Sequence, residues 1–241
     1  MSFWIEPDWP APAGVRAVST LRRGGVSQGS HSSLNLGAHV GDDPVAVREN
    51  RRRLATMLTL PTEPVWLRQV HGNRVVAAGA ESHEAEADAS YTQERGVVCA
   101  VLTADCLPIL LCTGDGGRVA AVHAGWRGLA GGVIEAAVAA LQSDDVLAWL
   151  GPAIGPDAFQ VGDEVRQMFL ALDDASESAF RVSTGGRWWA DLYQLARLRL
   201  GRLGVDRVFG GHWCTYGDPA RFFSHRRDGL TGRMATLIWR D

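Results

Sequence analysis

Residues 97–128 read VVCAVLTADCLPILLCTGDGGRVAAVHAGWRG and carry the strongest secondary-structure pattern of the chain. Apolar and β-branched residues predict strands at residues 97–103 and 109–112, and a third strand that ends at His123. The segment Asp105-Cys106-Leu107-Pro108 separates the first two strands. A charge, a thiol and a proline inside apolar sequence indicate either a simple bend or a cysteine held at a strand break to do chemistry.

Further strands and helices are predicted on both sides of this stretch. Asp43 and Pro44 have the residue types of a helix N-cap and first helical position. Helices are predicted at 43–58, 129–142, 163–172 and 190–204. Strands are predicted at 15–20, 65–70, 74–79, 146–150, 206–211 and 234–239. Such intermixing predicts an α/β (α+β) fold with a mixed sheet, in one domain that covers residues 1–241.

Three connecting segments are predicted to be irregular. The acidic stretch AESHEAEADAS, residues 80–90, is unperiodic and predicts a surface loop. Residues 173–187 form a polar excursion, and SHRRDG, residues 224–229, is typical of a solvated hairpin turn.

Composition excludes several classes of function. The 241 residues are 46% hydrophobic with a net charge of −3, so we expect neither a nucleic-acid nor a membrane partner. All 24 basic residues are arginine, which excludes a Schiff-base lysine, a pyridoxal-phosphate anchor and a P-loop lysine. The four cysteines and the absence of a signal-peptide pattern at the N-terminus predict reduced thiols and a cytoplasmic protein.

His71, Cys106 and His123 share one local context, because each follows an apolar stretch and precedes a turn. Two His and one Cys are a known zinc set that leaves one coordination position open. The same residues also suit a metal-free cysteine nucleophile with a histidine base. Their separations of 35 and 17 positions match no compact metal motif, so a buried cysteine with two hydrogen-bonded histidines stays an equal alternative.

The glycine-containing motif HAGWRG and the distribution of the histidines have weaker signals. HAGWRG, residues 123–128, resembles a backbone anion cradle with Arg127 in the turn, although a close strand-to-helix crossing also needs glycine. The seven histidines are scattered and form no His-X-His pair, which argues against a multicopper oxidase centre.

Several motifs together resemble one family, the YfiH-like proteins. These are also labelled multicopper polyphenol oxidoreductases, laccase-domain proteins and peptidoglycan-editing factors. The resemblance covers nearly the whole chain in order. The motifs are RRGGVS, SLNLGAHVGDDP, RQVHGNRV, TADCLPILL, AAVHAGWRGLAGGV, GPAIGPDAFQVGDEV and FFSHRRDGLTGRMA.

The resemblance implies mixed sheets packed between helices, as in putative cysteine hydrolases of the cytotoxic necrotizing factor type. It implies a metal site at His71, Cys106 and His123, with Zn2+ as the expected ion and Cu2+ as the alternative. It also implies phosphorolysis of adenosine, inosine, guanosine and methylthioadenosine, and deamination of adenosine.

Phosphorolysis requires a site that binds phosphate, and this chain must form that site without lysine. Arg48 and Arg68 are our candidates for binding phosphate, and Asp105 is a candidate for orienting a ligand or contacting substrate, or else for capping the turn.

Three other functions compete with the phosphorylase. One is a metal-free Cys-His hydrolase of a peptidoglycan precursor, and another is a metal-binding scaffold without enzymatic activity. The third is a copper-dependent polyphenol oxidase. Metal analysis and a nucleoside panel with and without phosphate separate them.

Overall fold

Thirteen strands and six α-helices occur in residues 2–241, the part of the chain that this computed structural model describes. The strands are β1 (Trp4–Ile5), β2 (Val15–Thr20), β3 (Val75–Ala77), β4 (Ala89–Thr92), β5 (Cys99–Thr103), β6 (Leu107–Thr113), β7 (Val119–Ala124), β8 (Val146–Leu150), β9 (Gln160–Val161), β10 (Phe180–Val182), β11 (Trp188–Ala190), β12 (Arg207–Gly210) and β13 (Met234–Arg240). The helices are α1 (Pro44–Leu58), α2 (Trp126–Ala130), α3 (Val133–Leu141), α4 (Asp163–Leu170), α5 (Leu192–Arg202) and α6 (His225–Asp228).

The largest sheet has six strands in the order β12-β8-β6-β7-β4-β3. The two outer pairs, β12 with β8 and β3 with β4, are parallel, and the inner pairs are antiparallel. Every residue of β6 and β7 is buried. Strands covered on both faces are apolar throughout, which explains why these segments gave the strongest sequence signal.

A second sheet, β1-β2-β13-β5, is antiparallel and packs against the first. Val101 of β5, Leu110 of β6 and Ile238 of β13 belong to one apolar cluster between the two sheets. The last strand of the chain therefore lies between β2 and β5 and supports the strand that leads to Cys106.

Helices cover the outer faces of both sheets. Ile109 and Leu111 of β6 pack with Ile134 of α3 and Leu195 of α5. On the opposite side of the molecule, Leu54 of α1 packs against the four-stranded sheet. The predicted α/β architecture, with mixed sheets packed between helices, is confirmed.

Helix α1 begins as the sequence predicts. The Asp43 side chain accepts a hydrogen bond of 2.8 Å from the Val45 N–H, and Pro44 is the first helical residue. No helix within residues 2–241 is both long and apolar enough to cross a bilayer, and all four cysteines are free.

The strand predicted at residues 65–70 is wrong. This segment makes isolated bridges, Val65 with Cys99 and Arg68 with Glu86, but no continuous ladder. Beside β5 the Gln69 side chain replaces the ladder, since its amide donates to the Leu102 carbonyl at 2.9 Å and its oxygen accepts from the Leu102 N–H at 2.8 Å.

All three segments predicted to be irregular contain regular structure. Residues 80–90 hold a 3-10 helix at Ala80–Ser82 and the first two residues of β4. Residues 173–187 hold a 3-10 helix at Asp174–Ala179 and strand β10, which joins the small sheet β10-β11-β9. The SHRRDG segment forms α6 instead of a hairpin turn, because the Ser224 hydroxyl caps the helix by accepting from the Arg227 N–H at 3.2 Å.

Candidate metal centre

The register of β6 and β7 brings a cysteine and a histidine together at one end of the six-stranded sheet. Pro108 of β6 pairs with His123 of β7, and Leu107 pairs with Ala124. Cys106 immediately precedes β6, so the break between β5 and β6 puts its thiol beside the His123 ring.

His71 reaches the same point from a loop. Its backbone has a φ of +61°, in the left-handed region that non-glycine residues seldom adopt. Gln69, hydrogen-bonded to Leu102 of β5 as described above, fixes the chain two residues before it. The loop conformation therefore depends on specific contacts and not on a strand ladder.

The three side chains form one cluster. One ligand atom from each of His71, Cys106 and His123 lies within 4.8 Å of the others, and the distance from Cys106 Sγ to His71 Nε2 is 3.8 Å. The two imidazole rings meet edge to face. Because His123 is buried, Cys106 half-buried and His71 exposed, the cluster is open to solvent on the His71 side.

Asp88 holds both histidines in place. Its Oδ1 lies 2.8 Å from His123 Nδ1, which leaves Nε2 of that ring for the cluster. The same carboxylate accepts hydrogen bonds from the backbone N–H groups of His71 at 2.9 Å and Gly72 at 2.7 Å. It is fully buried. A carboxylate behind a ligating histidine fixes the ring orientation and tautomer, and such partners are typical of metal sites.

Cys106, His123 and Asp88 shift one another's pKa values through their charges and hydrogen bonds. Burial raises the pKa of the Cys106 thiol, but the charge of His123 and hydrogen bonds from both imidazoles outweigh it and bring the pKa to about 6. Burial lowers the pKa of His123, yet Cys106 and Asp88 raise it to about 9. Burial opposes ionisation of Asp88 as well, and the hydrogen bonds from His123 and Gly72 still lower its pKa. The cluster therefore favours a thiolate.

The donor set and its spacing fit a zinc ion. Zinc bonds of about 2.3 Å to sulfur and 2.1 Å to nitrogen in a tetrahedral site separate the two donor atoms by about 3.6 Å, close to the observed 3.8 Å between Cys106 and His71. Three protein donors leave one position for water or substrate. Within residues 2–241, no other group of three or more His, Cys, Asp or Glu side chains has metal-binding geometry.

The glycines of HAGWRG allow the loop and the helix to approach the cluster closely. A Cβ on Gly125 would lie 2.8 Å from His71 Cδ2 and 3.1 Å from Cys106 Sγ. A Cβ on Gly128 would lie 2.7 Å from the Gly72 carbonyl oxygen. Helix α2 has five residues, and Arg127 stacks on Trp126 at 4.3 Å. These contacts favour the close strand-to-helix crossing over the anion cradle.

Asp105 lies between the cluster and α6. Its backbone has a φ of +94°, and its side chain is 8% exposed. Oδ1 accepts from the Thr215 hydroxyl and Oδ2 from the Arg226 N–H, each at 2.6 Å. With both oxygens engaged, Asp105 fixes the strand break that presents Cys106.

Arg48 and Arg68, the two arginines predicted to bind phosphate, have their contacts outside the cluster. Arg68 forms an ion pair of 2.5 Å with Glu86. Arg48 lies on α1 and lines a groove with Arg51 and Arg52. No contact between either candidate and the three clustered side chains occurs within the described residues 2–241.

Asp88 was not among the site residues predicted from the sequence. It belongs to the acidic stretch predicted to be a surface loop, but β4 begins at the next residue and pairs with β7, with Ala89 opposite Val122. The available signal was small: Asp88 lies between two alanines, Ala87 and Ala89, at the end of the acidic stretch.

Comparison with known proteins now identifies the family. Residues 16–241 match the family described as multi-copper polyphenol oxidoreductase laccase. The chain belongs to this family. A crystal structure of a Neisseria meningitidis protein of domain family 152 of unknown function superposes with a TM-score of 0.96 at 50% identity and covers 100% of both chains. The resemblance to the YfiH-like proteins is thereby confirmed.

Relatives that match nearly the whole of this laccase-domain chain have names that differ from the family description. A Pseudomonas aeruginosa protein named purine nucleoside phosphorylase is 57% identical over 242 residues, with 99% of each chain covered. The purine nucleoside phosphorylase YfiH of Escherichia coli is 54% identical with the same coverage. The curated names of these relatives therefore describe a nucleoside-cleaving enzyme, whereas the family description refers to copper and phenols.

Proposed function

We propose that this protein is a purine nucleoside phosphorylase that depends on a metal, zinc, held by His71, Cys106 and His123, and that it also deaminates adenosine. The observation that carries the proposal is the solvent-open His-Cys-His cluster with Asp88 behind it. Its occurrence in a chain with full-length relatives named purine nucleoside phosphorylase supports this choice. Four free thiols accord with the cytoplasmic location that we include in the proposal.

The side chains of the cluster have distinct proposed roles. Cys106 binds as thiolate, and His123 binds through Nε2 while its Nδ1–H donates a hydrogen bond to Asp88. His71, on the exposed side, completes the ligand set and borders the substrate. A bound zinc ion would act as a Lewis acid that polarises an oxygen of water or substrate.

Phosphorolysis breaks the bond between ribose C1′ and the purine nitrogen and forms a bond from C1′ to a phosphate oxygen. The bonding electrons leave with the base, which takes up a proton, and the products are free base and ribose 1-phosphate. With no lysine in the chain, arginine and backbone N–H groups bind the phosphate. Arg48, Arg68 and Asp105 stay proposed substrate contacts.

Deamination of adenosine is the second proposed reaction. Water adds to purine C6 and ammonia leaves, giving inosine. It consumes no phosphate, so the two reactions have different phosphate requirements although they share one site.

A metal-free hydrolase acting on a peptidoglycan precursor is the alternative that a specific observation favours. Cys106 has a lowered pKa of about 6, lies 3.8 Å from His71 and is close to the His123–Asp88 pair. These are the parts of a cysteine nucleophile with its base and orienting carboxylate. This alternative predicts activity in protein that contains no metal.

The test is a nucleoside panel with and without phosphate. We expect adenosine, inosine, guanosine and methylthioadenosine to yield free base and a sugar 1-phosphate, at a rate that saturates with phosphate. Equal base release in phosphate-free buffer, with free ribose as product, would overturn the phosphorylase proposal. Turnover of no nucleoside would favour a scaffold, and copper-dependent oxidation of phenols would favour the oxidase.

A further inference from the structure

Arg233, which was not predicted from the sequence as a site residue, lies close to Cys106 of the cluster. It immediately precedes β13, where Met234 pairs with Thr103 of β5. Because β5 leads directly into Asp105-Cys106, the antiparallel register brings Arg233 next to this segment. The charges of Cys106 and Asp105 act on its guanidinium.

The backbone and stem of Arg233 are held by a buried asparagine and a glycine. The Asn35 Oδ1 accepts from the Arg233 N–H at 2.9 Å and from the Gly37 N–H at 3.0 Å. A Cβ on Gly37 would lie 2.8 Å from Arg233 Cγ. The motifs NLG, residues 35–37, and GRM, residues 232–234, therefore position one side chain.

The guanidinium is anchored on one edge and open on the other. Its Nη1 donates to the carbonyl oxygens of Thr231 and Gly232, at 3.0 Å each. Within residues 2–241, Nε and Nη2 have no hydrogen bond, and no carboxylate forms an ion pair with Arg233. Nε–H and Nη2–H point in the same direction, which is the geometry that binds phosphate or carboxylate oxygens in pairs.

The surroundings of Arg233 favour an anion. His39 is exposed nearby, and after burial the charges of Arg233, Arg51 and His123 lower its pKa, so positive charge is concentrated there. The adjacent carboxylate, Asp105, has both oxygens engaged by Thr215 and Arg226. The half-buried guanidinium forms no direct ion pair within residues 2–241, and its free edge can bind a small dianion.

We propose that Arg233 binds the phosphate that attacks the nucleoside, through Nε–H and Nη2–H, on the open side of the His71-Cys106-His123 cluster. This inference rests on the proposed phosphorolysis and names its anion site. Arg68 already pairs with Glu86, and Arg48 has no contact with the cluster, so Arg233 is the better placed arginine.

The experiment compares Arg233→Met and Arg233→Lys with a matched control, Arg197→Met. Arg197 is also half-buried and donates to two backbone carbonyls, those of Val208 and Gly210, but it does not contact the cluster. Base release is measured against phosphate concentration at saturating nucleoside. Inorganic phosphate is also titrated calorimetrically into each protein at constant ionic strength.

In Arg233→Met we expect the KM for phosphate to rise about 10- to 150-fold, the factor that corresponds to losing a charged hydrogen-bonded contact. Arg233→Lys, which keeps the charge but loses the paired geometry, should show a smaller rise, and Arg197→Met should resemble the wild type. Deamination should fall less than phosphorolysis. A wild-type KM for phosphate in either Arg233 variant, or equal falls in both reactions, would overturn the assignment.

Failure of this inference can be told from failure of the proposed function. If wild-type base release does not depend on phosphate, the phosphorylase proposal fails. The calorimetric titration then tests by itself whether Arg233 binds phosphate. Phosphate binding that is weakened in the Arg233 variants but not in Arg197→Met would still support an anion site. Equal binding in all proteins would reject it. If Arg233→Met does not fold, Arg233→Lys decides by the same criteria.

Discussion

At the residue scale, the His71-Cys106-His123 cluster depends on a carboxylate that is not one of the three proposed metal ligands. Asp88 accepts a hydrogen bond from His123 and from three successive backbone N–H groups of the loop at residues 70–72. One buried side chain thus fixes two of the proposed ligands, His71 and His123, which come from distant parts of the chain.

Asp88→Asn should weaken zinc binding by about 10- to 100-fold, the range for losing a carboxylate behind a ligating histidine. The new amide NH2 would face backbone N–H donors and leave them unsatisfied, so the His71 loop should loosen as well. Competition with a zinc-binding dye measures the affinity. Asp115→Asn is the control, because Asp115 accepts from Thr113 and Gly117 in an exposed turn away from the site. Equal affinities in the two variants would contradict this role.

The four cysteines are expected to differ in function because their environments differ. Burial raises the pKa values of Cys99 and Cys112 to about 12, and both lie inside strands, whereas Cys106 stands at the strand break. Cys106→Ala should abolish activity and weaken metal binding. Cys112→Ala should retain both and lose about 1 kcal/mol of stability to the small cavity.

Zinc content, turnover and the free energy of unfolding are measured for both cysteine variants. Near-wild-type turnover of metal-replete Cys106→Ala would mean that the chemistry occurs elsewhere.

At the element scale, the close packing between β7 and α2 is part of the site. Gly125 joins β7 to α2 directly beside the cluster. Its lack of a side chain lets the His71 ring and the Cys106 thiol lie against the turn.

Gly125→Ala should displace His71 or Cys106, because the added Cβ would lie 2.8 Å from one and 3.1 Å from the other. We expect loss of zinc binding with the overall fold retained, as judged by circular dichroism and zinc titration. The control, Gly201→Ala in α5, places its Cβ in open space and should raise stability by about 1 kcal/mol. A Gly125→Ala protein that binds zinc like the wild type would show that the turn tolerates a side chain.

At the scale of the whole molecule, the sequence was informative where burial or capping is local. Strands β5 and β6 are buried on both faces and so are almost entirely apolar. Helix α1 has its cap and first-turn proline in the sequence. In these places, composition and position along the chain are sufficient to predict structure.

The pairing of strands that are distant in the sequence could not be predicted in the same way. The burial of Asp88 follows from β4 pairing with β7, and the placement of Arg233 follows from β13 pairing with β5. Neither register is encoded by the neighbouring residues. Gln69 likewise replaces a strand ladder with side-chain hydrogen bonds, which periodicity does not detect. The three proposed ligands could be named from motifs, but the residues that hold them required the fold.

The most direct test of the account is the metal dependence of base release. Protein freed of metal with a chelator is titrated with zinc, and adenine release from adenosine at saturating phosphate is followed. We predict no release at zero zinc and recovery that is linear up to one zinc per chain, with no recovery in Cys106→Ala treated in the same way. Full activity in the metal-free protein would contradict a metal centre at His71, Cys106 and His123 and would favour the cysteine nucleophile.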